Sequence, residues 1–550
     1  MSVRIQLHDY FRQRGRGWLL SLFGLVGLVY LPFMGNHYIF DDLNFFSSPM
    51  LEYYMNALFY FDLRWLPYAS LSWTAVLFSE DVPHFFHLGN ALLHLGNVLL
   101  LFYLLRQLLG AVLGKSEQSS YIVWGAWLAA LLFAVHPVAV YAVGYVIQRS
   151  ILMATLFALL MQMSYLRGLL TGQKRWLLMA VLAYFMAGFS KEHSVMMPAV
   201  LLALHLLLRT NKAEIINLDS RALWWCWSAF MTIGVLLVLR AKGVLGVPYE
   251  PMAAALFEHQ EVIASTPMLH LLSALTQAGL YFKYLLLWLV PNPSWMSVDM
   301  REHFISGLNE WQGWAGGLAF IAYGILSLRL LLRGGRIGLV GFALLYPWLL
   351  FMVELSSIRV QEPFVLYRSY LWMPGIMLLV PLLLLKFPGR KAIILMGLVV
   401  LLLLPLAWNR LWVFGDNYRL WNDAVLLLPN EKVAGEDRIF FNRAKAYAAA
   451  REWSEAAADF ERVVALSPQL APVHYELGEA YLNLERYEDA LTQFDAGIAI
   501  SPNDGRQYRG KGLSLMRLHQ KERALQQMKK GCDLGDQIAC MVVSFSQQKK

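Results

Sequence analysis

The sequence predicts an all-helical protein in two parts, a multi-pass bundle of membrane helices followed by an α-solenoid of short paired helices. Of its 550 residues, 58% are hydrophobic and only 15% are charged, and the mean hydropathy is +0.47. This composition is typical of an integral membrane protein. Beyond about residue 409 the long apolar runs give way to residues that recur every 34 positions.

The apolar runs predict eleven membrane spans. The run 176–208 is over-long and is interrupted by Lys191 and Glu192, so it is either one broken helix or two short ones. The first span is Gly17–Gly35, and the others lie near residues 85–109, 121–140, 143–167, 176–208, 222–240, 268–290, 313–333, 338–356, 369–386 and 390–408.

The distribution of basic residues predicts how the chain is oriented across the membrane. Four arginines precede the first span without a small-residue cleavage site, which predicts a retained signal-anchor with a cytoplasmic N-terminus. If 176–208 crosses once, most basic turns, including Arg329–Arg336, are cytoplasmic. The C-terminal domain is then external, and so are Arg209, Lys212 and Arg221. We read the net charge of +8 as this bias rather than as nucleic-acid binding.

The first external loop, residues 36–84, is too charged to span a membrane and too aromatic to be a free linker. It predicts amphipathic helices that lie on the outer surface. Asp41 and Asp42 follow the first span directly, framed by aromatic residues. Carboxylates so close to hydrocarbon are candidates for catalysis. The alternative is a solvated loop with aromatic anchors.

The 34-residue period matches the tetratricopeptide repeat, with small residues where paired helices touch and prolines after the second helix. The sequence thus predicts a membrane domain 1–408, a linker 409–431 and a domain of about three repeats, 432–550. The aligned positions are Ala444, Gly478 and Gly512; Tyr447, Tyr481 and Leu515; Ala456, Ala490 and Ala524; Phe460, Phe494 and Met528; and Pro468 and Pro502.

Cys532 and Cys540 bracket a predicted turn between helices and are candidates for a disulfide, which fits an oxidising compartment. Two reduced buried thiols are the alternative. The third cysteine, Cys226, lies in an apolar run and is predicted to be an inert packed thiol.

Cationic side chains at the outer ends of the spans are candidates for binding a phosphate. Arg149 is alternatively paired with Asp41 or Asp42, and Lys191 with Glu192. The candidate binding residues are Arg64, His136, Arg149, Lys191, Glu192, Arg359 and Arg368.

One helical face carries His87, Asn90 and His94. Metal binding there lacks a completing carboxylate, and hydrogen bonds between helices are the commoner role of such residues in bilayers. We therefore predict no metal site, although a divalent metal stays open, and the sequence indicates no other cofactor.

A sugar carried on a lipid phosphate is a ligand that these cationic and carboxylate side chains could bind and react with. Arginines and a lysine hold the phosphate, and a carboxylate takes the proton of an attacking hydroxyl. A single displacement inverts the anomeric centre.

Ordered blocks of the chain resemble the C-type multi-span glycosyltransferases fused to tetratricopeptide repeats, such as the transmembrane and TPR-repeat O-mannosyltransferases and their bacterial relatives. The blocks are "FDD" at 40–42, "LLFAVHP" at 131–137, "AVGYVIQRS" at 142–150, "SKEHSVMMP" at 190–198, "QAGLYFKYLLLWLVPNP" at 277–293, "YRSYLWMP" at 367–374 and "LWNDAVLLLPN" at 420–430.

The resemblance implies a GT-C fold, a polyprenyl-phosphate sugar donor and a protein acceptor. By position, Asp41 matches the catalytic carboxylate and Asp42 its neighbour, while Arg149, Lys191, Glu192 and Arg368 match motif positions. Two departures are Tyr367, where relatives often have Glu, and the short repeat domain. A bacterial inner-membrane member with periplasmic repeats is the expectation.

Two other functions are weighed against a protein O-glycosyltransferase. One is a transferase of the same fold acting on a glycolipid or envelope polysaccharide. The other is a non-enzymatic scaffold or transporter. A scaffold needs one span rather than eleven, and a transporter places ionisable groups near mid-bilayer.

Overall fold

The computed structural model describes residues 15–56, 59–114, 119–211, 220–241, 266–360, 362–384, 389–429, 433 and 435–548. Within these ranges the secondary structure is helical, apart from a bridge position at Ile358 and an isolated antiparallel bridge between Met300 and Phe364. Contacts divide the chain into two compact units, residues 1–416 and 417–550.

The first unit is a set of long apolar helices joined by short turns. Its helices are α1 Gly15–Tyr30, α2 Asp41–Phe46, α3 Met50–Met55, α4 Trp65–Phe78, α5 Pro83–Leu113, α6 Ser119–Val135, α7 Val140–Val143, α8 Arg149–Thr171, α9 Lys174–Ser190, α10 Met197–Thr210, α11 Ser220–Ala241, α12 Thr266–Leu289, α13 Trp311–Leu332, α14 Gly335–Phe351, α15 Met373–Met377, α16 Leu379–Leu384 and α17 Gly389–Val413.

Among the described residues, seven helices are long and apolar enough to cross a membrane, and an eighth if the bent pair Tyr121–Val135 and Pro137–Val143 counts as one. That pair bends by 52°, because proline removes a donor and disfavours helix at the residue before it. Leu19–Phe33 and Met373–Leu384 are shorter apolar helices. Helices α9 and α12, which both lie within predicted spans, are in neither set.

The run 176–208 forms two short helices rather than one continuous helix, because the helix breaks at Lys191. Helix α9 returns beside α8 and brings Lys191 within 3.5 Å of Ser150, near the start of α8. The 3₁₀ turn Glu192–Met196 then begins α10 at that same end.

Helix α10 runs away from that end, antiparallel to α14. Next to its start, His193 lies 3.1 Å from Glu354, just beyond the end of α14. At its other end, the backbone N–H of Gly335, at the start of α14, donates to the side chain of Asn211. Arg209 therefore lies at the same end of the unit as the basic turn 333–336, whereas a single crossing of 176–208 puts them at opposite ends. Lys212 lies outside the described residues.

Helix α11 leads back towards the Lys191 end. Cys226, near its start, contacts the carbonyl of Leu177 early in α9. Leu237, near its end, packs where a side chain on Gly188 would sit. Arg240 thus lies at the Lys191 end, whereas a single crossing of 176–208 places it at the opposite end.

The second unit is a stack of helix pairs with the predicted 34-residue spacing. It begins with helix α18, which together with the end of α17 fills much of the predicted linker 409–431. Its helices are α18 Asn417–Leu426, α19 Glu436–Ala449, α20 Trp453–Leu466, α21 Ala471–Asn483, α22 Tyr487–Ile500, α23 Gly505–Arg517, α24 Lys521–Asp533 and α25 Gln537–Gln548.

Small repeat residues let these helices approach closely. A β-carbon on Gly478 would lie 2.7 Å from the ring of Phe494, which is fully buried. The equivalent Gly512 faces Met528 in the next pair. Glycine is therefore required at Gly478 by packing rather than by backbone conformation.

Replacing Gly478 with valine should destabilise the repeats by about 2–3 kcal/mol, since the added methyl groups overpack the Phe494 ring. Pulse proteolysis of the full chain in urea measures this through the loss of the repeat fragment. The control is Thr492→Val, which places the same side chain at an exposed position of α22. Equal stability of the two variants would show that the close contact is not a constraint.

Candidate functional site

Asp42 joins the first loop to the turn that precedes α8. Its carboxylate is fully buried and accepts the N–H groups of Ile147 at 2.7 Å and Ile39 at 3.2 Å. Burial raises the pKa of Asp42 to about 8, while these donors act in the opposite direction. The geometry gives Asp42 a structural role beside the predicted catalytic carboxylate.

Asp41 is half-buried and begins α2 after Phe40, whose positive φ of 47° is strained for an aromatic residue. The backbone N–H of Asp41 donates to the hydroxyl of Tyr145 at 3.0 Å. The Tyr145 ring lies 6.4 Å from that of Tyr367, the neighbour of Arg368. The backbone of Asp41 is thus linked through Tyr145 to the neighbour of a predicted phosphate ligand.

Lys191 is a buried cation with little to neutralise it. It is 3% exposed, and its ammonium reaches Ser150 Oγ at 3.5 Å and the Tyr367 ring at 5.3 Å. Among the described residues, no carboxylate lies within 4.0 Å of it. Burial lowers the pKa of Lys191 to about 7, and the charges of Arg64, Glu192, Arg368 and Asp41 act on it less strongly and at longer range. These groups form the charged cluster of the first unit.

Glu192 pairs with Arg64 rather than with Lys191. The Nε of Arg64 donates to Glu192 at 3.0 Å and its Nη2 to the other oxygen. Arg64 is the residue before α4 and has a left-handed φ of 64°. This two-point pair ties the first loop to the break between α9 and α10.

Glu354, which sequence analysis missed, is a further carboxylate of the cluster. It is fully buried and lies 2.9 Å from Arg359 Nε, 3.0 Å from Arg368 Nη1 and 3.1 Å from His193 Nε2. A lone glutamate at the end of the apolar run 338–356 is the signal that could have found it.

Arg149, a predicted phosphate ligand, is instead engaged in helix packing. Its guanidinium donates to Asn90 Oδ1, Thr74 Oγ1 and the carbonyls of Ser70 and Phe86, at 3.0–3.1 Å. These bonds tie α4, α5 and α8 together. This use of its donors favours a structural role, and neither Asp41 nor Asp42 is among these partners.

His136, also predicted to bind the donor, is likewise bonded within the fold. Its Nε2 lies 3.0 Å from the carbonyl of Trp288, and its Nδ1 accepts the N–H of Val138 at 3.3 Å. Its ring stacks on that of Trp288 at 4.4 Å. It caps the bend after α6 and is bonded to α12 rather than to the charged cluster.

The polar face of α5 hydrogen-bonds to neighbouring segments. His87 contacts the carbonyl of Asn36, Asn90 donates to three carbonyls at 143–146, and His94 lies 2.6 Å from the hydroxyl of Tyr370. Across the described part of the chain, no three His, Cys, Asp or Glu side chains are grouped so as to hold a metal ion.

In the second unit, Cys532 at the end of α24 and Cys540 in α25 are joined by a disulfide, with their Cα atoms 4.5 Å apart. The disulfide links α24 to α25 across the short turn between them. Cys226 is a buried free thiol in the first unit.

The tetratricopeptide repeat family matches residues 447–512, so the second unit contains these repeats. No curated protein matches the chain. Three solved structures resemble it weakly. MamA AMB-1 is 21% identical over 24% of this chain and 78% of its own, with a TM-score of 0.21. The MamA RS-1 ArsTM double mutant is 23% identical over 26% and 79%, with a TM-score of 0.23. The APC/C hetero-tetramer Cut9-Hcn1 is 12% identical over 99% and 95%, with a TM-score of 0.23.

The buried carboxyl of Asp42 should make stability depend on pH. An unfolded aspartate ionises near pH 4, whereas the pKa of Asp42 in the fold is about 8. Its contribution is therefore complete below about pH 4 and is lost as pH rises to about 8. Between pH 5 and 8 the Tm of the wild type should fall relative to that of Asp42→Asn.

The control for this comparison is Asp62→Asn, a half-buried carboxylate of the same loop that accepts the Tyr53 hydroxyl at 3.0 Å. This variant shows the general effect of losing one carboxylate from the loop. A Tm of Asp42→Asn that follows that of the wild type at every pH would contradict the raised pKa of Asp42.

Proposed function

We propose that the chain is a multi-pass membrane glycosyltransferase of GT-C type that transfers a sugar from a polyprenyl-phosphate donor to hydroxyl groups of proteins. The observation that carries this proposal is the buried, unpaired ammonium of Lys191. Burying a charge without a counter-charge is costly, so such a group favours an anionic ligand. Asp41 and Arg368 act on the same ammonium.

The directions in which α9, α10 and α11 run support a membrane topology of eleven passes. The passes are α1, α5, α6 with α7, α8, α9, α10, α11, α13, α14, α15 with α16, and α17. Helix α12 instead lies along the segment 355–369, with bonds from His270 to Leu355, Gln277 to Pro363 and Trp288 to Ser369. The charged cluster then faces the non-cytoplasmic side.

Exposed apolar side chains at the end of α4 support the proposal that this helix lies at the membrane surface. Val76 and Leu77 are 60% and 72% exposed, and Trp73 and Phe78 are also exposed. Apolar side chains presented together on a surface helix are typical of insertion into the lipid headgroup region. A donor with a lipid tail would reach the cluster from that surface.

In the proposed reaction, Asp41 takes the proton of the acceptor hydroxyl as its oxygen attacks the anomeric carbon. The bond from that carbon to the phosphate oxygen breaks, and the phosphate keeps the electron pair. Lys191 and Arg368 stabilise the charge on this leaving group. The tetratricopeptide repeats would bind the acceptor protein or a partner. A disulfide in that unit is consistent with a periplasmic location.

Asp41→Asn should lower sugar transfer by at least about 100-fold, because it removes the general base. The measurement is transfer of radiolabelled sugar from polyprenyl-phosphate sugars to proteins in membrane vesicles, at matched protein levels. Asp62→Asn, the control in the same loop, should keep the wild-type rate. Full activity of Asp41→Asn would remove Asp41 from the role of base.

Lys191→Met should weaken binding of decyl phosphate to the purified full chain by at least about tenfold, since a charge-assisted contact is lost. It should leave the Tm unchanged or raise it, because an unpaired buried charge is removed. The control is Lys283→Met, whose ammonium pairs with Glu302 instead. Equal affinity of the Lys191 variant and the wild type would contradict the phosphate site.

A further inference from the structure

Glu354 is a buried carboxylate to which the proposed reaction assigns no step. Two arginines that lie nine residues apart meet on one of its oxygens, since Oε2 is 2.9 Å from Arg359 and 3.0 Å from Arg368. Its other oxygen lies 3.1 Å from His193. One anionic group thus gathers three side chains from two separate segments.

The segment that carries these arginines has little regular structure of its own. Among its described residues before Leu366, this segment holds isolated bridge positions at Ile358 and Phe364, and Arg368 lies in the 3₁₀ turn Leu366–Leu371. The 3₁₀ turn holds the backbone of Arg368, and the backbone N–H of Arg359 donates to Ser273 at 3.0 Å. These bonds leave both guanidinium groups to be placed by side-chain contacts, and the contact that they share is with Glu354.

The contacts continue from Glu354 to the first loop. The Nδ1 of His193 lies 3.5 Å from Glu192, and Glu192 is held by the two-point pair with Arg64. Charged groups from α4, from the break before α10 and from the segment 357–371 therefore form one connected set. Movement of any member would shift the cations near Lys191.

We propose that Glu354 is the positioning residue of the phosphate site, an inference that rests on the proposed function. It holds Arg368 through Nη1, the one atom of that guanidinium that donates a hydrogen bond among the described residues. Nη2 lies 3.9 Å from Glu362, beyond hydrogen-bond distance. The remaining N–H groups stay available for an anionic oxygen in a preset orientation.

Simple electrostatics predicts the opposite effect of removing Glu354. Without this carboxylate the cluster becomes more positive, and an anion should bind more tightly. If positioning dominates, the guanidinium groups lose their fixed placement and the anion binds more weakly. The direction of the change therefore separates the two accounts.

The test measures binding of decyl phosphate, with decanol as the uncharged reference, to the purified full chain in detergent by tryptophan fluorescence. Glu354→Gln keeps the shape and removes the charge, and should weaken decyl phosphate binding at least tenfold without affecting decanol. Glu354→Asp keeps the charge but draws it back by one methylene, and should give an intermediate loss. Glu302→Gln, the control on a separate ion pair, should bind as the wild type does.

Affinity equal to or above that of the wild type in folded Glu354→Gln would overturn the positioning role. If Glu354→Gln does not fold, unchanged affinity of Glu354→Asp would overturn it instead. If the wild type binds decyl phosphate no better than decanol, the proposed function fails and this inference with it. If Lys191→Met loses binding while Glu354→Gln does not, only the positioning role fails.

Discussion

A positive charge that is buried without a nearby negative charge governs the interpretation of this molecule. Lys191 is 3% exposed. Its ammonium donates one long hydrogen bond to Ser150 and lies over the ring of Tyr367. Burial lowers the pKa of Lys191 to about 7, so the amine keeps its proton at neutral pH most readily when an anion binds beside it. The neighbouring arginines are held by Glu192 and Glu354, so their charges are partly neutralised within the protein. Lys191 is therefore the cation of the cluster that we expect to bind an anionic ligand.

The charged cluster is built where the helices are interrupted. The chain leaves regular helix at Lys191, at the bend after His136 and over the segment 357–371. Each interruption brings side chains to one end of the first unit while the adjoining helices remain apolar. Arg149 and His136 are not part of this cluster, because Arg149 donates to groups of α4 and α5 and His136 is bonded to the carbonyl of Trp288 in α12.

Sequence patterns predicted some of this arrangement well and missed other parts for identifiable reasons. The repeat was predictable because Gly478 and Phe494 must contact at a fixed spacing. Charged residues within an apolar run indicated a break at Lys191. The sequence did not determine whether the run forms one broken helix or two short helices. That choice depends on the contacts of α10 with α14, which are distant in sequence.

The candidate site shows the same limit. Asp41, Lys191 and Arg368 could be selected because charges rarely enter or border apolar runs. Their partners could not be assigned, since pairing depends on distances between segments. Arg149 was predicted to bind phosphate, yet four hydrogen bonds to neighbouring helices occupy it. Glu354 was missed because the arginines that it pairs with were assigned to a ligand.

The most direct measurement is an electron cryo-microscopy map of the full chain in lipid nanodiscs with decyl phosphate added. Our account predicts density for a phosphate in contact with the Lys191 ammonium and Arg368, with Asp41 facing the same space. A map in which Lys191 pairs with a carboxylate of the protein, and the phosphate lies elsewhere, would contradict it.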